Sequence, residues 1–175
     1  MGLSASKPDT ISQLIGEAFK SDRLRHHLSL HHSHDDLVQR VVIALVKGTY
    51  IPPHYHEMPR QWELFSIMHG NVDIYLFDHN GKVTDILTLG EASGNYFFTV
   101  EPNVCHTVIC RSDYAVVMEV KEGPFNPKTA KVLPSWSHPE NYDSSTRECI
   151  LNYIGNLKID DVFNSKDFLA YHLSA

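Results

Sequence analysis

Between Leu37 and Lys121 the sequence divides into many short apolar segments separated by turn residues, and this pattern limits the fold more than any other feature. Segments such as Val72–Phe77 and Val83–Leu89 have the length of typical strands. The Asn80-Gly81 pair between them is a strong signal for a β-hairpin. Short strands at such regular spacing predict a mainly β domain, either a sandwich or a barrel.

Helical patterns flank this β region. Residues from Thr10 to about Lys20 carry apolar side chains at the 3.6-residue period of a helix. Towards the other end, Ser145-Thr-Arg-Glu148 has the form of a capping box that opens a second helix. Ser165 is a candidate cap for a short last helix that includes Phe168 and Leu169.

The chain therefore divides into three parts of a single domain. Residues 1–36 form an N-terminal helix and a histidine-rich lead-in, and residues 37–123 form the barrel. Residues 124–175 form an irregular segment and C-terminal helices that pack on the barrel. A chain of 175 residues is long enough to bury one sizeable core.

Composition narrows the classes of partner. The net charge is −6 and there is no long basic run, which argues against nucleic acid or a membrane surface as a partner. The longest apolar run, Val41–Val46, is far shorter than the ~20 residues that span a bilayer. Three cysteines suit reduced thiols in a cytoplasmic protein. We expect a small-molecule ligand, and a homodimer is possible.

A candidate metal site stands out within the β region. His54 and His56 are two residues apart on an extended segment, so their side chains share a face. Glu63 can join them if Met58-Pro-Arg60 turns the chain onto the next strand, and a barrel can bring His106 close in space. Three imidazoles and one carboxylate suit one divalent metal ion and leave coordination positions open for water or substrate.

Simpler interpretations remain for each of these residues. His54 and His56 could be solvated at a sheet edge, and His106 could be an ordinary core histidine. Glu57 is an alternative carboxylate, although its position next to His56 turns it to the other face.

The metal motifs resemble a known family. The spacing Gly-x5-His-x-His, Glu-x6-Gly and then Pro-x-x-x-His is similar to the two cupin motifs, and the chain most resembles the WbuC family of cupin-fold metalloproteins over about residues 20–140. The matching stretches are Arg23-Leu-Arg25, Leu30-His31, Asp36-Leu-Val-Gln39-Arg40, Pro53-His-Tyr-His56, Trp62-Glu63, Phe77-Asp78, His106-Thr107, Glu119-Val-Lys121, Gly123-Pro124 and Trp136.

The resemblance implies a double-stranded β-helix, the cupin jelly-roll barrel, with one divalent ion (Fe, Mn, Ni or Zn) held by His54, His56, Glu63 and His106. The chain departs from the general motif at two points. Six residues separate His56 from Glu63, where three or four are usual, and Asn103-Val104 stands where a glycine is usual.

Four polar residues are candidates to line the substrate pocket. Gln39 and Arg40 lie on opposite faces of one apolar strand, so whichever face lines the barrel carries one polar group inward. Glu119 and Lys121 share a face of another strand, and the alternative for them is a solvated pair. An inward arginine or lysine would suit an anionic substrate.

These observations lead to three functional hypotheses. The first is a metal-dependent isomerase or epimerase of a small polar metabolite; the resemblance suggests a sugar or sugar-nucleotide of surface polysaccharide biosynthesis. The second is an Fe(II)-dependent dioxygenase. The third is a non-catalytic, metal-dependent module that binds a small ligand. The histidines between His26 and His34 are either a second metal site or ordinary surface residues.

Overall fold

Two antiparallel sheets form the body of the protein in the computed structural model, which describes residues 7–140 and 143–165. Within these residues the helices are α1 (Thr10–Lys20) and α2 (Ser144–Asn156). The strands are β1 (Arg25–Ser29), β2 (Val38–Val46), β3 (Glu63–His69), β4 (Asn71–Phe77), β5 (Val83–Gly90), β6 (Phe97–Val100), β7 (Cys105–Cys110) and β8 (Tyr114–Glu122). The mainly β prediction is confirmed.

The sheet order shows that the chain crosses between layers. The larger sheet has the order β1-β2-β8-β3-β6, and the smaller has the order β5-β4-β7. The last strand, β8, therefore lies between β2 and β3, which is the connectivity of a jelly-roll barrel rather than of a simple meander. The core between the sheets is lined by apolar side chains that include Ile43, Leu45, Phe65, Ile74, Leu89, Val108 and Val117.

Helix α1 decides which face of β2 points into the barrel. Leu14 and Ala18 of this helix pack against alternate β2 side chains, Val42, Ala44 and Val46. Because strand side chains alternate, the other β2 face, with Gln39, turns towards the barrel interior. The histidine-rich lead-in is not merely a linker, because it contains β1, which pairs with β2.

Helix α2 packs on the outside of the smaller sheet. Ile150 and Ile154 are fully buried in one cluster with Tyr75 and Phe77 of β4. The cap differs from the predicted capping box, because the Asp143 carboxylate accepts a hydrogen bond from the main-chain N–H of Thr146 at 2.9 Å. Asp143 is the residue with extended backbone before the first turn, and a cap must occupy that position.

The helix predicted after Ser165 falls on residues 166–175, which lie outside the described part of the chain. Among the helices of residues 7–140 and 143–165, none has the length and apolar character needed to cross a membrane.

Candidate metal centre

Three histidines and one glutamate meet at one wall of the barrel interior. One donor atom from each of His54, His56, Glu63 and His106 lies within 4.8 Å of the others, and all four residues are buried. They come from three separate places: the extended segment before β3, the first residue of β3, and β7. The structure thus brings together the four residues that the sequence predicted as ligands.

Main-chain pairing places the two sequence-distant histidines side by side. The N–H of His54 donates to the carbonyl of His106 at 3.0 Å, and the N–H of His106 donates to the carbonyl of His54 at 2.8 Å. Asn103 supports the same corner, since its N–H donates to the carbonyl of His56 at 2.9 Å. Its φ of 64° is left-handed, a conformation that asparagine tolerates, which explains how this chain does without the usual glycine.

The long loop between the second histidine and the glutamate folds back on itself. The N–H of Gln61 donates to the carbonyl of Met58 at 3.0 Å, which closes a turn and returns the chain to β3. As a result Glu63 Oε2 lies 2.9 Å from His56 Nε2 and 3.2 Å from His106 Nε2. Glu57, the alternative carboxylate, is exposed and is not part of the group.

Each imidazole is oriented by a main-chain carbonyl. The Nδ1 atoms of His54, His56 and His106 lie 2.8, 2.5 and 3.1 Å from the carbonyl oxygens of Pro52, Ala130 and Val104. A carbonyl oxygen only accepts hydrogen bonds, so Nδ1 must carry the proton in all three rings. In the neutral ring each Nε2 therefore presents a lone pair, and such contacts orient metal-bound histidines in the same way.

The donor set fits a divalent cation. His56 Nε2, Glu63 Oε2 and His106 Nε2 are buried and have no hydrogen-bond partner in the described residues. With the protons on Nδ1, these three atoms are all acceptors facing one another, an arrangement that is unfavourable without a positive charge between them. Nitrogen and carboxylate donors together are the ligands that zinc and its first-row neighbours prefer. The group could therefore hold one metal ion.

The protonation states agree with this role. Burial lowers the pKa of His54 well below its ordinary value, and the neighbouring His106 adds to the effect. Burial by itself would raise the pKa of Glu63, but hydrogen bonds from His106 and His56, where Nε2 carries a proton in place of a metal ion, and the charge of Lys121 outweigh burial and bring the pKa well below its usual range. A neutral imidazole and an ionised carboxylate are the forms that bind metal.

The four residues form part of the wall of a cavity of about 410 Å³. Its apolar lining includes Val41, Ile43, Leu45, Ile51, Phe65, Val108 and Val117. This is the size of a small-molecule site, with an apolar surface and a few convergent polar groups.

Glu119 and Lys121 both line this cavity, next to the metal group. Lys121 Nζ lies 2.7 Å from Glu119 Oε1 and 3.2 Å from Glu63 Oε1, so the lysine bridges two carboxylates. Burial raises the pKa of Glu119, and the charge of Glu63 raises it further, while Lys121 acts in the opposite direction. The side chains of this pair therefore face the cavity.

The two polar candidates on β2 have different locations. Gln39 is buried at the cavity, but its side-chain N–H groups donate to the carbonyls of Ser33, His34 and Asp36 at 2.7–3.2 Å, so it fixes a loop. Arg40 is exposed on the opposite face and donates to the carbonyl of Leu30. Arg40 does not line the cavity, because α1 covers the face of β2 on which it lies.

The histidine-rich stretch contributes to the cavity lining without forming a second metal group. His27, His31 and His34 line the cavity. In the described part of the chain, the histidines between His26 and His34 do not bring three ligand atoms together as a metal site would require.

Sequence reasoning missed several contributors to the cavity, including two arginines and two residues of the segment after β8. Arg23 and Arg25 line it from the β1 side, and Ala130 and Lys131 line it from the irregular segment after β8. The alternation of Arg25, His27 and Ser29 on a strand was a usable signal. Nothing in the sequence around residue 130 indicates its position.

The comparisons with known proteins bear mainly on the fold. The sequence model of a family described as a domain of unknown function, DUF6016, matches residues 7–89. That match includes His54, His56 and Glu63 and stops before His106. No curated protein matches the chain.

Several solved structures are similar. Protein SO0799 from Shewanella oneidensis has a TM-score of 0.51 at 16% identity, covering 74% of this chain and 85% of its own. CapF, solved with the inhibitor 3-isopropenyl-tropolone, has a TM-score of 0.51 at 18% identity over 65% of this chain, which spans only 32% of CapF. A cupin superfamily protein from Desulfitobacterium hafniense has a TM-score of 0.42 at 15% identity, covering 56% of this chain and 76% of its own. At these identities the likeness to SO0799 and CapF concerns the fold alone. The chain has the double-stranded β-helix, or cupin jelly-roll, fold that the sequence resemblance implied.

Proposed function

We propose that this protein is a metal-dependent enzyme that isomerises or epimerises a small polar metabolite. The observation that carries the proposal is the convergence of three lone-pair Nε2 atoms and one buried carboxylate at the wall of a cavity of metabolite size. Four protein ligands leave open positions on the six-coordinate metals of this class, as a catalytic centre requires.

The residues beside the metal group supply the remaining chemistry. A metal ion bound there supplies Lewis acidity towards a carbonyl or hydroxyl oxygen of the substrate. Glu119 accepts the proton of the carbon next to that carbonyl and returns it to the neighbouring carbon or to the opposite face. Because the proton leaves and returns, the reaction needs no oxidant. Lys121 holds the Glu119 carboxylate in place at 2.7 Å.

The family, the substrate class, the cellular location and the oligomeric state belong to the same proposal. Membership of the WbuC family and a sugar or sugar-nucleotide substrate of surface polysaccharide biosynthesis rest on the sequence resemblance. A cytoplasmic location and a homodimeric state rest on composition and on the general behaviour of sheet edges.

Metal analysis of protein purified without a histidine tag tests whether the four residues bind a metal ion. We expect about one ion of Fe, Mn, Ni or Zn per chain, and we expect the double variant His54→Ala, His56→Ala to lose it. His32→Ala, an exposed histidine outside the cavity, is the matched control and should keep the ion. Stoichiometric metal in the double variant would contradict the assignment.

Proton exchange tests the reaction. The metal-loaded protein is incubated in D₂O with a panel of aldoses, ketoses, their phosphates and sugar nucleotides, and deuterium incorporation next to the carbonyl is followed by NMR. We expect Glu119→Gln to lose about 10²–10⁴-fold in rate while it keeps its metal. Iron content with substrate-dependent oxygen uptake would instead establish the dioxygenase. Tight binding of a compound without exchange or oxygen uptake would establish the non-catalytic module.

A further inference from the structure

We propose that Arg23, Arg25 and Lys131 form an anion subsite of the cavity, which receives a carboxylate or phosphate group of the substrate. The subsite lies in the same cavity as the metal group, so the ligand would be an anionic metabolite that places an oxygen at the metal and its negative charge at these residues. The contact between the substrate oxygen and the metal group rests on the proposed function. The anion subsite itself rests on the charges described next.

Positive charge exceeds negative charge at this part of the cavity. Both guanidinium groups share one carboxylate: Arg23 Nε lies 2.9 Å, and an Arg25 nitrogen 2.8 Å, from Glu140 Oε1. Lys131 has neither an ion pair nor a side-chain hydrogen bond to any residue in 7–140 or 143–165. Within the described residues, the two arginines share the Glu140 carboxylate and Lys131 adds a third cation, so positive charge is in excess here and is what an anionic ligand would neutralise.

At the cavity wall that carries the candidate metal ligands, negative charge exceeds positive charge. There, one cation, Lys121, contacts two carboxylates, Glu63 and Glu119. A metal ion at this wall would offset the surplus negative charge, while among residues 7–140 and 143–165 the two arginines share the single carboxylate of Glu140. The cavity is thus divided into a metal-binding wall and a cationic wall, with Leu45 and Ile51 among the apolar side chains that line it. A short carbon skeleton with a charge at one end fits this division.

The arginine wall is also preorganised. The Arg25 side chain is 4% exposed, and its guanidinium donates to the carbonyl of Tyr50 at 3.1 Å and contacts Glu140, so its charge is fixed in place. Arg23 is 41% exposed and can reach a ligand. Lys131 is exposed and can also reach a ligand, while desolvation by its surroundings and the positive charge of Arg25 lower the pKa of Lys131, so an incoming anion would stabilise its charged form.

The position of Lys131 in the chain connects this subsite to the metal group. Its neighbour Ala130 accepts the hydrogen bond from His56 Nδ1, and the next residue, Val132, pairs with Tyr55 through two main-chain hydrogen bonds. Lys131 is therefore held beside the candidate metal ligands by contacts on both sides. It lies on the same cavity as the metal group and not on a remote surface.

Anion titrations test the subsite without relying on activity. Inorganic phosphate, malonate and succinate are titrated calorimetrically, at low ionic strength, into metal-loaded protein and into protein stripped with EDTA. The variants are Lys131→Gln and Arg23→Gln, and the control is Lys128→Gln, an exposed lysine of the same segment that does not line the cavity. Arg25 is left intact because its burial makes it part of the fold.

We expect at least one anion to bind the stripped protein, and Lys131→Gln to weaken that binding roughly ten- to hundredfold, the effect of losing a charge-assisted hydrogen bond. Lys128→Gln should leave binding unchanged. Stronger binding of phosphate identifies a phosphorylated substrate, and stronger binding of the dicarboxylates identifies an organic acid. Absence of anion binding, or equal binding by wild type, Lys131→Gln and Arg23→Gln, overturns the proposal. The stripped protein reports on the subsite even if the metal assignment fails.

Discussion

The Nδ1 atom of His56 lies 2.5 Å from the carbonyl oxygen of Ala130, a residue 74 positions further along the chain. This contact joins a candidate metal ligand to the irregular segment that follows β8. The same segment lines the cavity through Phe125, Pro127 and Lys131. Binding at the metal group and ordering of this segment should therefore be coupled, since each restricts the position of the His56 ring.

Hydrogen exchange measures this coupling. We expect peptides covering residues 124–133 to exchange more slowly in metal-loaded protein than in EDTA-treated protein, because a fixed His56 ring holds the carbonyl of Ala130. Peptides from α1, which packs on the outer face of β2, serve as the internal control and should not change. Equal exchange of residues 124–133 in both states would show that the segment is independent of the metal.

Glu63→Gln should remove metal affinity while Glu57→Gln should not. Loss of an outer-shell partner of a ligand costs about 10–100-fold in metal affinity, and loss of a charged ligand should cost at least as much. The two variants make the same chemical change six positions apart, one in the buried group and one in solvent. Competition with a fluorescent chelator gives both affinities, and equal affinities would remove Glu63 from the ligand set.

Truncation of Ile154 tests whether α2 belongs to the same cooperative unit as the barrel. Ile154 is fully buried in the cluster that contains Tyr75 and Phe77 of β4, so Ile154→Ala should lower the free energy of unfolding by about 2–5 kcal/mol. Asn152→Ala, on the exposed side of the helix, should stay within about 0.5 kcal/mol. Urea unfolding followed by fluorescence and by circular dichroism should give one shared transition; two transitions would make α2 a separate unit.

The ion pairs of Glu140 should make stability depend on pH at the acid end. Partial burial by itself would raise the pKa of Glu140, but the hydrogen bond from Arg23 and the charge of Arg25 outweigh it and bring the pKa below its ordinary value of 4.5. A carboxylate with a lowered folded-state pKa adds stability above the unfolded-state pKa and loses it as the pH falls through the folded-state value.

Glu140→Gln should therefore be less stable than wild type near neutral pH, and the difference should shrink as the pH falls below the ordinary carboxyl value of 4.5 and through the lowered folded-state pKa. Urea unfolding of both proteins across this range measures it. A difference that stays constant with pH would mean that the side chain stabilises the fold by packing and not by its charge.

Local signals in the sequence anticipated most of the fold. The spacing of strands, the Asn80-Gly81 hairpin and the apolar stripe of α1 all appear where the sequence placed them, within one or two residues. The predicted capping residue of α2, Ser145, was wrong. Serine and aspartate both suit the capping position, and backbone geometry selected Asp143. The four predicted metal ligands also meet, including Glu63, whose long preceding loop left its position open.

By itself, the sequence determined which residues share a strand face, because side chains alternate with a period of two whatever the strand packs against. It could not determine which face turns inward. Only the packing of α1 on Val42, Ala44 and Val46 decided that Gln39, and not Arg40, belongs to the cavity. The contacts of Ala130 with His56 and of Glu140 with the arginines were likewise decided by tertiary structure, since they join residues more than 70 positions apart and leave no local periodicity to read.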